Sequence, residues 1–181
     1  MVHPASLRCA LALLIVVSLC AGCGSSGSSK VSPSSYVKSV CSAITPLERD
    51  VVTRSSALNN STATNPVQAK KTLQDFLIAI EQDSTHALTQ IRAAGTPDIS
   101  DGKAVAGSIV KTFTQLRNAL RAASGQATSL PTDSAASFKT AAQALGANVR
   151  GSLNNIDASG LSNRDLAQAA AKQAACKSLN G

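Results

Sequence analysis

Apolar residues recur every three or four positions along most of this chain, which is the spacing of amphipathic α-helices. Three long stretches show the spacing most clearly, and in each of them the apolar residues share one helical face. These residues are Leu73, Phe76, Leu77, Ile80, Ala87, Leu88 and Ile91; Val105, Ile109, Phe113, Leu116, Leu120 and Ala123; and Phe138, Ala142, Leu145, Val149, Leu153 and Ile156. No stretch alternates like a strand, so the pattern predicts an all-α protein with almost no β-structure.

The first helix is predicted over residues 33–58. It begins with Ser32 as the cap and Pro33 in the first helical position. Because Pro46 interrupts this segment, we predict either one kinked helix or two stacked helices, the second starting from a capping box at Thr45.

The other helices are marked by caps, prolines and glycines. Their predicted starts are Asn65-Pro66, Ser100, Thr132-Asp133 and Ser162, the last for a short helix that runs to Cys176. Gly146 and Gly151 weaken the fourth helix by about 1 kcal/mol each relative to Ala, so either a neighbour packs closely there or the helix is soft. The prediction is a helical bundle over residues 36–178 with about four long helices and a short C-terminal one. We expect its three Phe rings to lie close together.

The N-terminal segment has the features of an export signal. Arg8 precedes an apolar run of eleven residues, and the small pair Ala21-Gly22 precedes Cys23. The run is shorter than the roughly 20 residues that span a bilayer comfortably. We therefore predict a signal peptide over residues 1–22 and lipidation of Cys23. The alternative is an ordinary signal peptide, cut near Gly22, that leaves Cys23 as a plain thiol.

This segment resembles the lipobox of bacterial lipoproteins. The whole chain is similar in composition to the small Ala/Ser/Thr-rich lipoproteins of actinobacterial, high-GC Gram-positive bacteria, many of which have no assigned activity. One position departs from the pattern, since Cys20 stands where Leu, Val or Ile is usual. The resemblance implies a diacylglyceryl group on Cys23, with acyl chains such as palmitate, that holds the protein on the outer face of the cell membrane. Residues 23–35, rich in Ser and Gly, would then form a flexible tether.

The five cysteines have different expected fates. Cys9 and Cys20 leave with the signal peptide and Cys23 carries the lipid, so Cys41 and Cys176 remain to form a disulfide. The alternative of two separate thiols is less favoured outside the membrane. Two thiolates without a neighbouring His or third Cys cannot complete a metal tetrahedron.

The formal charge of the chain is +7, and it becomes +6 when Arg8 leaves with the signal peptide. Three cations lie on one flank of the third predicted helix, Lys103, Arg117 and Arg121, and Lys111 lies further round the same helix. This flank is either a solvated surface or a contact site for anionic lipid, lipoglycan or wall polymer. Nucleic acid is not an expected partner outside the membrane.

Catalytic motifs are missing from the sequence. The bundle has a single histidine, His86, on the predicted polar face of the second helix, and the acidic pairs at 48/50 and 81/83 do not converge on one helix face. No Gly-x-Ser-x-Gly elbow or phosphate-binding Gly loop occurs. We therefore predict no enzymatic activity, no cofactor and no metal. Two functions remain: a non-catalytic binding or structural module of the envelope, or a carrier that holds a lipid or lipoglycan between parted helices. The carrier needs an apolar cavity of several hundred Å³.

Overall fold

The computed structural model of this chain describes residues 29–60, 65–156, 163–177 and 179. The predicted signal peptide, the lipidation site Cys23 and the first part of the predicted tether lie outside these residues.

Within the described residues, four long helices and two short ones form a bundle, as the periodicity predicts. They are α1 (Pro33–Asn60), α2 (Pro66–Ala93), α3 (Gly102–Ala127), α4 (Ala135–Asn154), α5 (Arg164–Ala171) and α6 (Ala174–Lys177). The predicted single C-terminal helix is therefore wrong in one respect, because it is interrupted at Lys172 and Gln173. Asn65 caps α2 by accepting a 2.9 Å hydrogen bond from the amide of Val67.

The first three helices form the main core. Helix α2 packs against both α1 and α3, whereas α5 and α6 cover α1, and α4 packs on α3 with only a light contact to α2. Tyr36 on α1 is the largest fully buried side chain, although the apolar stripe of the sequence did not include it. Its hydroxyl has no hydrogen-bond partner in the described part of the chain, and burial raises the pKa of this phenol.

A second, smaller cluster joins α4 to the bundle. Its fully buried members are Leu77, Ala123, Ala127, Leu130 and Leu145. Phe138 packs against this cluster, Phe113 belongs to the main core, and Phe76 borders both. The expectation of one shared aromatic cluster is therefore wrong for Phe113 and Phe138, because α4 contributes to a different part of the interior.

Helix α1 runs without interruption through Pro46. The predicted new start at Thr45 is wrong, since the hydroxyl of Thr45 donates backwards to the carbonyl oxygen of Cys41 at 2.9 Å. Ala43 and Leu47, which flank the proline, are both buried in the main core. Tertiary packing on either side thus outweighs the local cost of proline within a helix.

The predicted disulfide is present and joins α1 to α6. The Cα atoms of Cys41 and Cys176 are 5.1 Å apart, and the two residues are 135 positions apart in sequence. A helix of four residues such as α6 is not stable by itself. The covalent link to α1, together with a hydrogen bond from Gln173 to Ser34, fixes the C-terminal segment to the core. In the chain-entropy model a loop of this length contributes about 4–5 kcal/mol.

The only described strands form a two-residue parallel pair that the sequence did not predict. Strand β1 (Lys30–Val31) lies beside β2 (Thr96–Pro97), at the end of the bundle where α1 begins, α2 ends and α3 begins. We call this end the strand end, and the opposite end, where α1 and α3 finish, the far end. Because β1 and the first turn of α1 fall within residues 30–35, the last part of the predicted tether belongs to the folded domain.

Two glycines allow the chain to fold closely at the strand end. Gly95 adopts a φ of 83°, in the left-handed region, and so ends the run of α2 as predicted. Helix α3 starts one residue later than predicted, after Asp101, whose side chain makes no capping bond. A Cβ atom on Gly102 would lie 1.9 Å from the carbonyl oxygen of Pro97, so only glycine fits there.

We predict that Gly102→Ala destabilises the protein by about 1–3 kcal/mol, because the new methyl group must displace the backbone of β2. Gly107→Ala on the same helix is the control. No atom lies within 4 Å of a Cβ at that position, and Ala favours helix by up to about 1 kcal/mol. Urea unfolding of both variants gives the comparison. Equal stability of the two proteins would contradict the close contact between Gly102 and Pro97.

Candidate functional site

Helix α4 has an apolar face that the bundle covers incompletely. Among its residues only Leu145 is fully buried, whereas Phe138 and Val149 are half-buried and Leu153 is 36% exposed. The reason is geometric: α4 packs on α3, but α2 is already occupied by α1 and α3 and meets α4 only lightly. The apolar face predicted from the sequence of α4 is therefore present, but part of it is not covered by another helix.

That space is a groove between α2 and α4 at the far end of the bundle, with a volume of about 610 Å³. Its apolar lining comes from three helices: Leu58 from α1; Pro66, Ala69 and Leu73 from α2; and Ala135, Phe138, Ala142 and Gly146 from α4. Pockets of about 300–1,000 Å³ with mainly apolar walls are typical of small-molecule sites. The groove therefore has the size and the chemistry that a carrier requires.

Gly146 shows how a small residue in the sequence leaves the groove open. A Cβ atom at Gly146 would have no atom within 4 Å, and the same is true of Gly151. Close packing of a neighbouring helix at these glycines, one of our two alternatives, is therefore wrong. Gly146 lines the groove whereas Gly151 does not, so only Gly146 contributes to its volume.

The outer rim of the groove is polar and positively charged. Lys139, Gln143 and Arg150 line it from α4, and their spacing places them on one side of that helix. Lys139 and Arg150 are both exposed, and neither has a carboxylate within ion-pair distance in the described segments. Eleven residues of helix separate them by about 16 Å. An apolar groove beside two exposed cations is complementary to a hydrocarbon chain that carries a negative charge.

A second groove lies on the other side of α2, against the end of α3, and has a volume of about 520 Å³. Its charged and amide side chains are already engaged. Lys70 donates to the carbonyl oxygen of Leu130 at 2.9 Å, Gln74 donates to the carbonyl oxygen of Ala127 at 3.3 Å, and Lys71 pairs with Asp75. This groove therefore presents fewer side chains that could bind a ligand than the groove between α2 and α4.

The four predicted surface cations of α3 differ in their surroundings. Arg121 forms a 2.9 Å ion pair with Glu81 of α2, and Arg117 donates to the neighbouring Asn118. Lys111 also interacts with another residue, whereas Lys103 is exposed at the start of the helix. The ion pair of Arg121 reduces the charge that this flank presents to an anionic surface.

An acid pair between α1 and α2 was not apparent from the sequence, where only residues of a single helix were compared. The carboxyl group of Asp83 lies near that of Asp50, its Oδ2 atom is buried without a hydrogen-bond partner in the described residues, and Arg54 donates to Asp50 at 2.9 Å. Hydrogen bonding from Arg54 lowers the pKa of Asp50. Burial, followed by the charge of Asp50, raises the pKa of Asp83. Neither groove described above includes these side chains, so we interpret the pair as part of the α1–α2 contact.

The two shifts act on stability in opposite directions. Since the pKa of Asp83 is raised, the folded protein keeps this proton to higher pH than the unfolded chain, and the contribution of Asp83 is lost as pH rises through the raised pKa. Since the pKa of Asp50 is lowered, its contribution is present above the ordinary carboxyl pKa and is lost as pH falls through the lowered value.

Other predicted features can be located in the structure. His86 is exposed, and its ring lies 2.7 Å from the side-chain amide of Gln90. In the segments that the structure describes, no group of three or more His, Cys, Asp or Glu residues is arranged to hold a metal ion. Among those same residues, no helix combines the length and the apolar character needed to cross a membrane.

Comparisons of the chain with protein-family models, with curated proteins and with solved structures give no match.

We predict that Asp83→Asn raises the thermal unfolding midpoint at pH 7, because the amide removes a half-buried negative charge and can donate to Asp50. The gain should shrink as the pH falls through the raised pKa of Asp83, because the unmodified carboxyl group then becomes neutral as well. Asp75→Asn, at an exposed carboxylate, is the control and should change little. A gain that does not change as the pH is lowered would contradict the raised pKa of Asp83.

Proposed function

We propose that this chain is a non-catalytic binding module, lipid-anchored through Cys23 on the outer face of the cell membrane. We further propose that it holds an acyl chain of a lipid or lipoglycan in the groove between α2 and α4. The anchor is supported by the apolar run and the Ala21-Gly22-Cys23 motif. The ligand is supported by the groove itself, and this single observation favours a carrier over a purely structural module.

The groove supports an acyl ligand through its shape and its lining. Phe138 and Leu73 provide large apolar surfaces, while Ala142 and Gly146 leave the space between them empty. Burying apolar area gains roughly 25 cal/mol per Å², so a hydrocarbon chain of sufficient length can bind without directional contacts. A module with a purely structural role would not need an open groove of this volume.

The rim supports an anionic head group. Lys139 and Arg150 can each contact a carboxylate or a phosphate at the mouth of the groove, while Gln143 between them can donate a neutral hydrogen bond. Exposed charges contribute little in water. The acyl chain therefore provides most of the affinity, and the cations provide selectivity for acidic ligands.

Contact of the α3 flank with an anionic surface is the second candidate. It is favoured by the exposure of Lys103 and by the position of Arg117, which forms no ion pair within the described ranges. The pairing of Arg121 with Glu81 counts against it. The two candidates use different helices and can be tested separately.

We predict that Gly146→Leu lowers the affinity for a fluorescent long-chain fatty acid at least tenfold, because the leucine side chain fills the groove. Stability should not fall, since a Cβ at this position meets no atom within 4 Å and Leu is a better helix former than Gly by roughly 0.8 kcal/mol. Affinity is measured by titration of the probe, and stability by thermal unfolding.

Gly151→Leu is the matched control, because it makes the same substitution in the same helix at an open position outside the groove lining. It should bind the probe like the unmodified chain. If the unmodified chain fails to bind, or if the two variants lose affinity equally, the groove is not the site.

We also predict that replacing both Lys139 and Arg150 with Gln weakens binding of the fatty acid about fivefold in total, or roughly 1 kcal/mol, because a single carboxylate can contact only one of two cations that lie so far apart. Binding of the corresponding neutral fatty alcohol should be unchanged. The control replaces Lys103 and Arg117 with Gln, which removes the same charge from α3. A loss of fatty-acid binding only in the control would favour the α3 flank instead.

A further inference from the structure

The polypeptide that would carry the lipid enters the fold at the strand end, where it is firmly held. The carbonyl oxygen of Ser29 accepts from the amide of Thr96 at 3.2 Å, and the amide of Asp98 donates to the carbonyl oxygen of Val31 at 2.8 Å. Lys30 adds an ion pair to Asp98 at 3.1 Å. The tether therefore attaches to the end of the bundle and not to its side.

The chain between the anchor and this attachment is short. Cys23 precedes Ser29 by six residues, and a fully extended chain spans at most about 3.3–3.6 Å per residue, or roughly 20 Å in total. A lipid on Cys23 therefore keeps the strand end close to the membrane surface, whatever conformation the intervening residues adopt.

On α2, the groove residues lie at the end of the helix opposite to the strand end, where the tether attaches. Leu73, the groove residue on α2 nearest to the strand end, is twenty residues before Ala93 at the end of that helix. At 1.5 Å per residue this separation is about 30 Å. Along α2, the entry of the tether and the groove are thus separated by most of the length of the helix, while on α4 the lining begins at Ala135 at the far end and continues to Arg150.

We propose that the strand end is the surface that faces the phospholipid bilayer, and that the groove opens on the far end, about 30 Å further out. This inference rests on the proposed lipid anchor at Cys23 and not on the identity of the ligand. It implies that the groove exchanges its acyl ligand with envelope components outside the anchoring bilayer.

Contact at the strand end depends mainly on the tether. Lys30 is paired there with Asp98, whereas Arg92 in the last turn of α2 and Lys103 in the first turn of α3 add positive charge that suits anionic head groups. The competing orientation lays the bundle on the flank of α3, where Arg117 lies about 21 Å along the helix from Lys103. The two orientations place the middle of α3 at different heights above the membrane.

The sequence contains no Trp, so a single introduced Trp reports on one position. We would prepare three variants at exposed sites along the bundle: Ser100→Trp at the strand end, Asn118→Trp beside Arg117, and Ser129→Trp at the far end. Each chain, starting at Cys23, is attached to vesicles containing dansyl-labelled head groups, either through its native lipid or by coupling the Cys23 thiol to a maleimide lipid. Energy transfer from Trp to dansyl is then measured.

The expected order of transfer efficiency is Ser100→Trp highest, Asn118→Trp intermediate and Ser129→Trp lowest. Transfer from Asn118→Trp equal to or above that from Ser100→Trp would overturn the proposal in favour of the α3 flank. Equal transfer at all three positions would overturn it in favour of a freely turning domain. Because maleimide coupling supplies an anchor in any case, failure of natural lipidation is detected separately, by the intact mass of the protein from its native host.

Discussion

The structure depends on the burial of one continuous apolar face on α2 between α1 and α3. Leu88 and Ile91 are each 1% exposed, and Ser84 on the same face is fully buried, with its hydroxyl donating to the carbonyl oxygen of Glu81 at 2.7 Å. A helix has a limited circumference, so two close neighbours leave little apolar surface for a third. This constraint explains why α4 has α3 as its main partner and why a groove remains beside α2.

The first and last described segments are fixed to this core by means that do not depend on a large apolar area. The disulfide between Cys41 and Cys176 holds the short C-terminal helices, and the β1–β2 pair holds the segment before α1. Small contacts of this kind are sufficient because α1, α2 and α3 provide the main hydrophobic stabilisation. The domain can therefore contain few large side chains, with only 2% aromatic residues, and still hold its first and last described segments in place.

The sequence predicted the features that are set by local periodicity and composition. The apolar spacing predicted the four long helices, Asn65-Pro66 and Gly95 predicted the limits of α2, and the cysteine count predicted the disulfide. Features that arise between distant segments were not accessible in this way. The proximity of Gly102 to Pro97, the meeting of Asp50 with Asp83, and the pairing of Arg121 with Glu81 all depend on how helices are placed side by side. The groove belongs to the same class, because the glycine-rich sequence of α4 was equally consistent with close packing.

The energetics of α4 bear on the proposed ligand in the groove. Gly146 costs the helix about 1 kcal/mol relative to Ala, and no close packing compensates for this cost, since the space around its absent Cβ is open. Phe138 is only half-buried against the second cluster, so further apolar area remains to be covered. A larger residue at position 146 would increase both helix propensity and burial, so stability by itself does not account for glycine there. The proposed acyl ligand would supply the missing contacts, and a ligand that binds only the folded state also stabilises it. On this proposal, the empty volume and the weakly held helix are two features of one binding site.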